Sequence, residues 1–119
     1  MTISSNVEQF AQFHKALAEP IRLRIMALLS HQESLCVCDL VQVLGLSQST
    51  ISRHLAYLRN NGLVTTWREG NWIHYALLRE NPFFSVVEQA LYELQQLCEV
   101  KNDLKTLKLY QLSPRRCDI

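Results

Sequence analysis

A glycine between two short helical patterns is the feature that most constrains the fold of this chain. Residues 36–44 have the apolar spacing of a short helix, and Gly45 follows them directly. Glycine is a typical helix C-terminal stop because it adopts the left-handed conformation without a side-chain clash. Ser47 is then an N-cap for a second helix that runs to about residue 61. Two helices joined by so tight a turn predict a helix-turn-helix over about residues 36–61.

Two β-prone runs follow this unit. Residues 63–68 and 72–77 are rich in β-branched and aromatic side chains, and a glycine-containing turn separates them. This pattern is typical of a β-hairpin. A hairpin over about residues 63–78 would stand next to the helix-turn-helix as a wing.

Helical patterns also occupy both ends of the chain. One covers residues 7–17, another begins at Pro20, and a long one covers residues 83–112. The long pattern alternates spacings of three and four, which predicts one continuous helix with an apolar seam. The apolar residues of this seam are Phe84, Val87, Leu91, Leu94 and Cys98.

The fold class that follows is mainly α with a β-hairpin, a winged helix-turn-helix. A chain of 119 residues has the length of one domain, so we expect a single unit over residues 1–119. The second helix of a helix-turn-helix, here called the reading helix, covers only a few base pairs of DNA. A two-fold dimer spaces two such helices by about 34 Å. We therefore expect a homodimer formed by the terminal helices 7–17 and 83–112. The alternative is that these helices only cover the core of the monomer.

Composition excludes several classes of protein. Hydrophobic residues make up 48% and charged residues 19%, which is not the balance of a disordered chain. No apolar run approaches about 18 residues and the N-terminus lacks a secretory signal, so no membrane partner is expected. Four cysteines without a signal predict reduced thiols in the cytoplasm. The four histidines share no catalytic spacing with the cysteines, so the chain is not expected to be an enzyme.

The start of the second helix of the pair has the character of a surface that reads DNA. Its side chains are short, polar and able to donate or accept hydrogen bonds, as the edges of bases in a major groove require. The region 45–79 also carries four arginines and one glutamate, which suits a phosphate backbone. The candidate contacts with double-stranded operator DNA on this helix are Ser47, Gln48, Ser49, Thr50, Ser52, Arg53 and His54. The alternative for the helix is a solvated face capped by serine.

The tip of the predicted wing offers two further candidates. Arg68 and Asn71 flank the turn and would reach a phosphate or the minor groove. The alternative is a solvated hairpin tip. The aromatic residues Trp67, Trp72 and Tyr75 are expected to pack the hairpin onto the domain rather than to stack on bases.

Two cysteines separated by one residue lie at the start of the first helix of the pair. Thiolates bind soft ions such as As(III), Sb(III), Cd(II) and Pb(II), and a helix N-terminus lowers the pKa of a thiol. On a regular helix, Cys36 and Cys38 would point about 200° apart, so binding one ion requires a distorted first turn. Such a distortion would move the reading helix and weaken DNA binding. The alternative is one cysteine in the core and one incidental surface thiol.

Several segments together resemble the ArsR/SmtB family of metal-responsive winged-helix repressors, over about residues 14–80. They are 18–25 (AEPIRLRI), 35–40 (LCVCDL), 47–59 (SQSTISRHLAYLR) and 62–64 (GLV). The CVCDL string is similar to the arsenic-sensing members. The resemblance implies a homodimer that represses a resistance operon and leaves DNA on binding As(III) or Sb(III). It places Cys36 and Cys38 as the first two thiolate ligands, and implies no cofactor for DNA binding itself.

The chain departs from this pattern at Val41, where arsenic sensors often have a third cysteine. The candidates for a third ligand are Cys117, Cys98, a water or hydroxide, and a free thiol such as glutathione. Cys98 lies on the predicted seam, where a buried apolar role is expected. Two protein ligands alone, or an organoarsenical effector, are further alternatives.

Other branches of the family fit less well. Cadmium and lead sensors usually add N-terminal cysteines, and residues 1–35 contain none. Zinc sensors use histidine and carboxylate ligands on the last helix, which here has carboxylates but no histidine. A repressor that senses redox state or persulfides through Cys36 or Cys38 remains an alternative, as does a cadmium or lead sensor.

Overall fold

The computed structural model describes residues 6–113, and within them six α-helices accompany a three-stranded antiparallel sheet. The helices are α1 (Val7–Leu17), α2 (Pro20–Leu29), α3 (Val37–Leu44), α4 (Gln48–Asn60), α5 (Phe84–Leu94) and α6 (Cys98–Leu112). The strands are β1 (Leu35–Cys36), β2 (Val64–Glu69) and β3 (Trp72–Leu77). No helix of this part of the chain is long and apolar enough to cross a bilayer.

The helix-turn-helix forms where the glycine predicts it. Gly45 ends α3 with φ of 69°, in the left-handed region that glycine favours. Ser47 caps α4, and its Oγ accepts a hydrogen bond from the backbone N–H of Thr50 at 3.2 Å. The hydroxyl and the glycine therefore fix the two ends of the turn, and the predicted winged helix-turn-helix fold is confirmed.

The wing is the hairpin of β2 and β3, in register from Val64 opposite Leu77 to Glu69 opposite Trp72. The sequence did not predict the third strand, β1, which pairs with the other side of β3. Here Cys36 lies opposite His74. A strand of two residues is too short to show an alternating pattern, and it joins the start of α3 to the wing.

The predicted continuous helix over residues 83–112 is wrong. It breaks between α5 and α6, where Leu97 has extended backbone (φ −85°, ψ 137°) and an exposed side chain. Leu94 and Val100 are both buried, yet six residues on one helix rotate by about 240° and would point them apart. The break lets both face the core. It also leaves Cys98 exposed rather than buried on the seam, which corrects that expectation.

Helix α2 contributes five residues to the core, from Ile25 to Leu29, and all of them are buried. A partly buried ion pair joins this helix to α6. Arg24 donates from Nε and Nη2 to the two carboxylate oxygens of Asp103, at 2.8 Å and 3.0 Å. Such a two-pronged pair has a fixed geometry, so it sets where α6 lies against the domain.

Candidate nucleic-acid interface and thiol site

The outer side of α4 begins with exposed polar side chains. Gln48, Ser49 and Arg53 are exposed, and nothing in the described structure covers them. Thr50 and Ser52 are only half-buried. This gives the first two turns of α4 the amide, hydroxyl and guanidinium groups that can meet base edges and phosphates.

The opposite side of α4 fixes this orientation. Ile51, Leu55 and Leu58 are completely buried in the core. Ser47 is exposed, but its Oγ is held by the cap and also donates to Thr50 Oγ1 at 2.9 Å. Ser47 and Thr50 therefore shape the start of the helix, while their neighbours face outward.

The structure places His54 on the inner side of α4, with only 14% of its side chain exposed. Its Nδ1 lies 3.3 Å from Nη1 of Arg22, which donates to it, and 3.9 Å from a carboxylate oxygen of Glu19. The guanidinium of Arg22 also lies 4.3 Å from the ring centre of Tyr57. This location favours a role for His54 in holding α4 on α2, and direct DNA contact by His54 stays an untested prediction.

Sequence reasoning missed this cluster between α2 and α4. Arg22 and His54 are 32 residues apart, and neither position has a distinctive neighbour in the chain. Only the packing of α2 against α4 brings the two side chains together.

The wing tip is exposed at both candidate residues. Arg68 Nη1 donates to the backbone oxygen of Gly70 at 3.3 Å, which holds the guanidinium beside the turn, and Asn71 is uncovered. Trp67 stacks on His74 with ring centres 5.5 Å apart and planes at 15°. Trp67 therefore packs on the neighbouring strand of the wing, and part of its ring remains exposed.

Cys36 is not part of a helical turn. It is the N-cap of α3, with extended backbone (φ −94°, ψ 169°), and it is only 7% exposed. The premise that both cysteines stand on one regular helix is therefore wrong. Cys38 lies at the second position of α3, so the two sulfurs leave the backbone on either side of a strand-to-helix junction.

A buried carboxylate organises this junction. Asp39 is 8% exposed, and its Oδ2 accepts hydrogen bonds from the backbone N–H of Cys36 at 2.9 Å and from Sγ of Cys36 at 3.1 Å. Its Oδ1 accepts a hydrogen bond from the hydroxyl of Tyr110 at 2.6 Å. The backbone contact caps the start of α3, as an acidic residue at the third helical position commonly does.

The thiol of Cys36 has a raised pKa, which corrects the expectation that the helix N-terminus lowers it. Burial is the largest cause, because it penalises the charged thiolate. The hydrogen bond from Sγ to Asp39 and the negative charge of that carboxylate raise the pKa further, and backbone hydrogen bonds oppose them. Cys36 is therefore held as a neutral thiol in this structure.

The other cysteines differ from Cys36. Cys38 is half-buried, whereas Cys98 is a free, exposed thiol. Cys117, the other candidate third ligand, lies outside the described residues. Within residues 6–113, no three histidine, cysteine or acidic side chains are grouped so as to hold a metal ion.

The structure has a capped reading helix with a polar outer side, a helix-turn-helix turn that begins at a glycine, and an adjacent two-stranded wing. These features define a winged helix-turn-helix DNA-binding protein. The family described as "Bacterial regulatory protein, arsR family" matches residues 19–66. The chain is also 44% identical over 81 residues to the "Arsenical resistance operon repressor" of Escherichia coli (strain K12). That match covers 66% of this chain and 69% of the relative, and matches to three further relatives cover 53% to 66% of their length.

Solved structures agree with this assignment. "HlyU from Vibrio cholerae N16961" has a TM-score of 0.65 at 33% identity, covering 81% of this chain and 98% of that one. The "AntR antimony-specific transcriptional repressor" has a TM-score of 0.64 at 27% identity, covering 83% and 86%. The chain belongs to the arsR family of bacterial regulatory proteins. It is a DNA-binding transcriptional repressor and not an enzyme.

The raised pKa of Cys36 predicts slow alkylation. In reduced protein at pH 7 to 8, iodoacetamide should label Cys36 at least about tenfold more slowly than the exposed Cys98, since thiolate is the reactive form. The Cys36 rate should climb as pH rises towards its raised pKa. Mass-spectrometric mapping of labelled peptides over time gives both rates. Equal rates at pH 7 would contradict the buried, hydrogen-bonded thiol.

Proposed function

We propose that this repressor binds operator DNA as a homodimer and leaves it when As(III) or Sb(III) binds the thiols of Cys36 and Cys38. The observation that carries the proposal is the location of Cys36. Its sulfur lies where β1 enters α3, and α3 supports the reading helix α4. A ligand that changes this junction acts on the DNA-reading unit itself.

Gln48, Ser49 and Arg53 are the residues we assign to DNA contact on α4, because they are exposed on its outer side. Arg68 and Asn71 would contact the backbone or the minor groove from the wing. Thr50, Ser52 and His54 are less exposed. We expect them to act mainly through the orientation of α4.

The chemistry of the thiols suits trivalent arsenic. In arsenous acid, each sulfur replaces one hydroxyl on arsenic, and the thiol proton leaves with that hydroxyl as water. Two sulfur–arsenic bonds form in this way, no electrons are transferred, and one hydroxyl stays on arsenic. This reaction needs Cys38 reduced. Val41 supplies no sulfur, so the retained hydroxyl, Cys98, Cys117 or a small thiol would complete the coordination.

Exposed apolar side chains support the proposed dimer. They lie on α1, α5 and α6, the helices assigned to dimerisation from the sequence. The residues are Val7, Phe10, Tyr92, Leu109 and Leu112. Burying such side chains between two copies removes apolar surface from water.

A second candidate function is a repressor in which oxidation of Cys36 or Cys38 with another cysteine controls DNA binding. The two functions differ under strong reductant. Arsenite should then release DNA in the first case and have no effect in the second.

Substitution of either proposed thiol ligand should separate DNA binding from release. Cys36→Ser keeps a hydroxyl that can cap α3, so operator affinity should stay within about threefold of wild type. Release by arsenite under reductant should be lost in Cys36→Ser and in Cys38→Ser. Fluorescence anisotropy with labelled operator DNA measures both properties, and Cys98→Ser is the control that should still respond. Normal release in both variants would remove this site assignment.

Loss of the exposed arginine on the reading helix should weaken DNA binding. Arg53→Ala should raise the Kd for operator DNA about tenfold or more, because a base or phosphate contact by arginine is lost. Arg59→Ala, at the other end of the same helix and also exposed, is the matched control. Both variants should bind arsenite normally. Equal affinities of Arg53→Ala and wild type in a gel-shift titration would argue against this contact.

A further inference from the structure

One buried carboxylate links three parts of the structure that are far apart in the chain. Asp39 holds the thiol of Cys36, the first backbone N–H of the α3 junction, and the hydroxyl of Tyr110 on α6. Tyr110 is 71 residues away and lies in the last turn of the final described helix. The state of one sulfur is thus connected through a single side chain to the C-terminal helix.

We propose that Asp39 and Tyr110 are positioning residues that couple ligation of Cys36 to the position of α6. This inference rests on the proposed function, since it concerns how metalloid binding reaches the rest of the protein. Neither residue is a metalloid ligand. Their role is to make the DNA-binding arrangement depend on an intact Cys36 thiol.

The coupling follows from the hydrogen that arsenic replaces. In the structure, the Cys36 thiol donates its hydrogen to Oδ2 of Asp39 at 3.1 Å. After ligation that hydrogen has left with water, so the sulfur presents only lone pairs towards a carboxylate oxygen. The buried carboxylate of Asp39 then loses one of its three hydrogen-bond donors. A buried carboxylate with missing donors is destabilised.

Asp39 cannot turn away from the sulfur without disturbing its other partners. Oδ2 also caps the backbone N–H of Cys36, and Oδ1 is bound to Tyr110 at 2.6 Å. Rotation of the carboxylate therefore weakens both the start of α3 and the attachment of α6. These two elements would change together.

The attachment at Tyr110 matters because α6 is fixed to the domain by few polar contacts. Others are the Arg24–Asp103 pair, about two turns earlier on the helix, and a hydrogen bond from Gln32 to Gln111 at 3.3 Å. Leu109 and Leu112, which flank Tyr110, are exposed and form part of the proposed dimer surface. Loss of the hydrogen bond between Tyr110 and Asp39 would therefore change the proposed dimer surface. That surface sets the spacing of the two reading helices in the dimer.

The test is Tyr110→Phe, which removes the hydroxyl and keeps the ring. Operator Kd is measured with and without arsenite under reductant, and arsenite binding is measured separately by equilibrium dialysis. We expect arsenite affinity within threefold of wild type. The operator Kd without arsenite should rise towards the arsenite-bound value, so the arsenite-induced change in Kd should shrink about tenfold.

Tyr75→Phe is the matched control, because it removes a tyrosine hydroxyl on β3, outside the proposed dimer helices and the Asp39 contacts, and it should keep the full arsenite effect. An unchanged ratio of operator affinities in Tyr110→Phe would overturn the inference. So would loss of arsenite binding itself, since that would show a purely structural role. Normal release in both Cys36→Ser and Cys38→Ser would instead overturn the proposed function, so the two failures are distinguishable.

Discussion

The buried carboxylate of Asp39 is the interaction on which the DNA-reading unit depends. A charge at 8% exposure is tolerable only when hydrogen-bond donors surround it. Here the donors are the thiol and backbone N–H of Cys36 and the hydroxyl of Tyr110. Because these groups come from the strand-to-helix junction and from α6, satisfying one charge fixes the geometry of both.

The orientation of the reading helix is set by separate contacts. Its apolar side is buried through Ile51, Leu55 and Leu58, and the His54–Arg22 contact holds it on α2. We therefore assign direct DNA contact and the response to the effector to different residues. A ligand shifts a conformational equilibrium only when it binds two conformations with different affinities. In this proposal the two conformations differ at the strand-to-helix junction of Cys36, where the metalloid binds.

The sequence predicted the elements with strong local signals. Gly45, Ser47 and the spacing of apolar residues are enough to place the helix-turn-helix and the wing. The break before Cys98 was missed because the seam of alternating three- and four-residue spacings runs from Phe84 to Cys98 without interruption. Tertiary packing decides there which side of the helix faces the core. The raised pKa of Cys36 was missed for a similar reason, since burial and the carboxylate of Asp39 outweigh the effect of the helix terminus.

The most direct test of the account is amide hydrogen exchange in the reduced, full-length protein with and without arsenite. Opening of the Asp39 contacts predicts that exchange speeds up together at residues 36–40 and at residues 107–112, the two segments that this carboxylate joins. Faster exchange confined to residues 36–40, with the end of α6 unchanged while operator DNA is released, would contradict it.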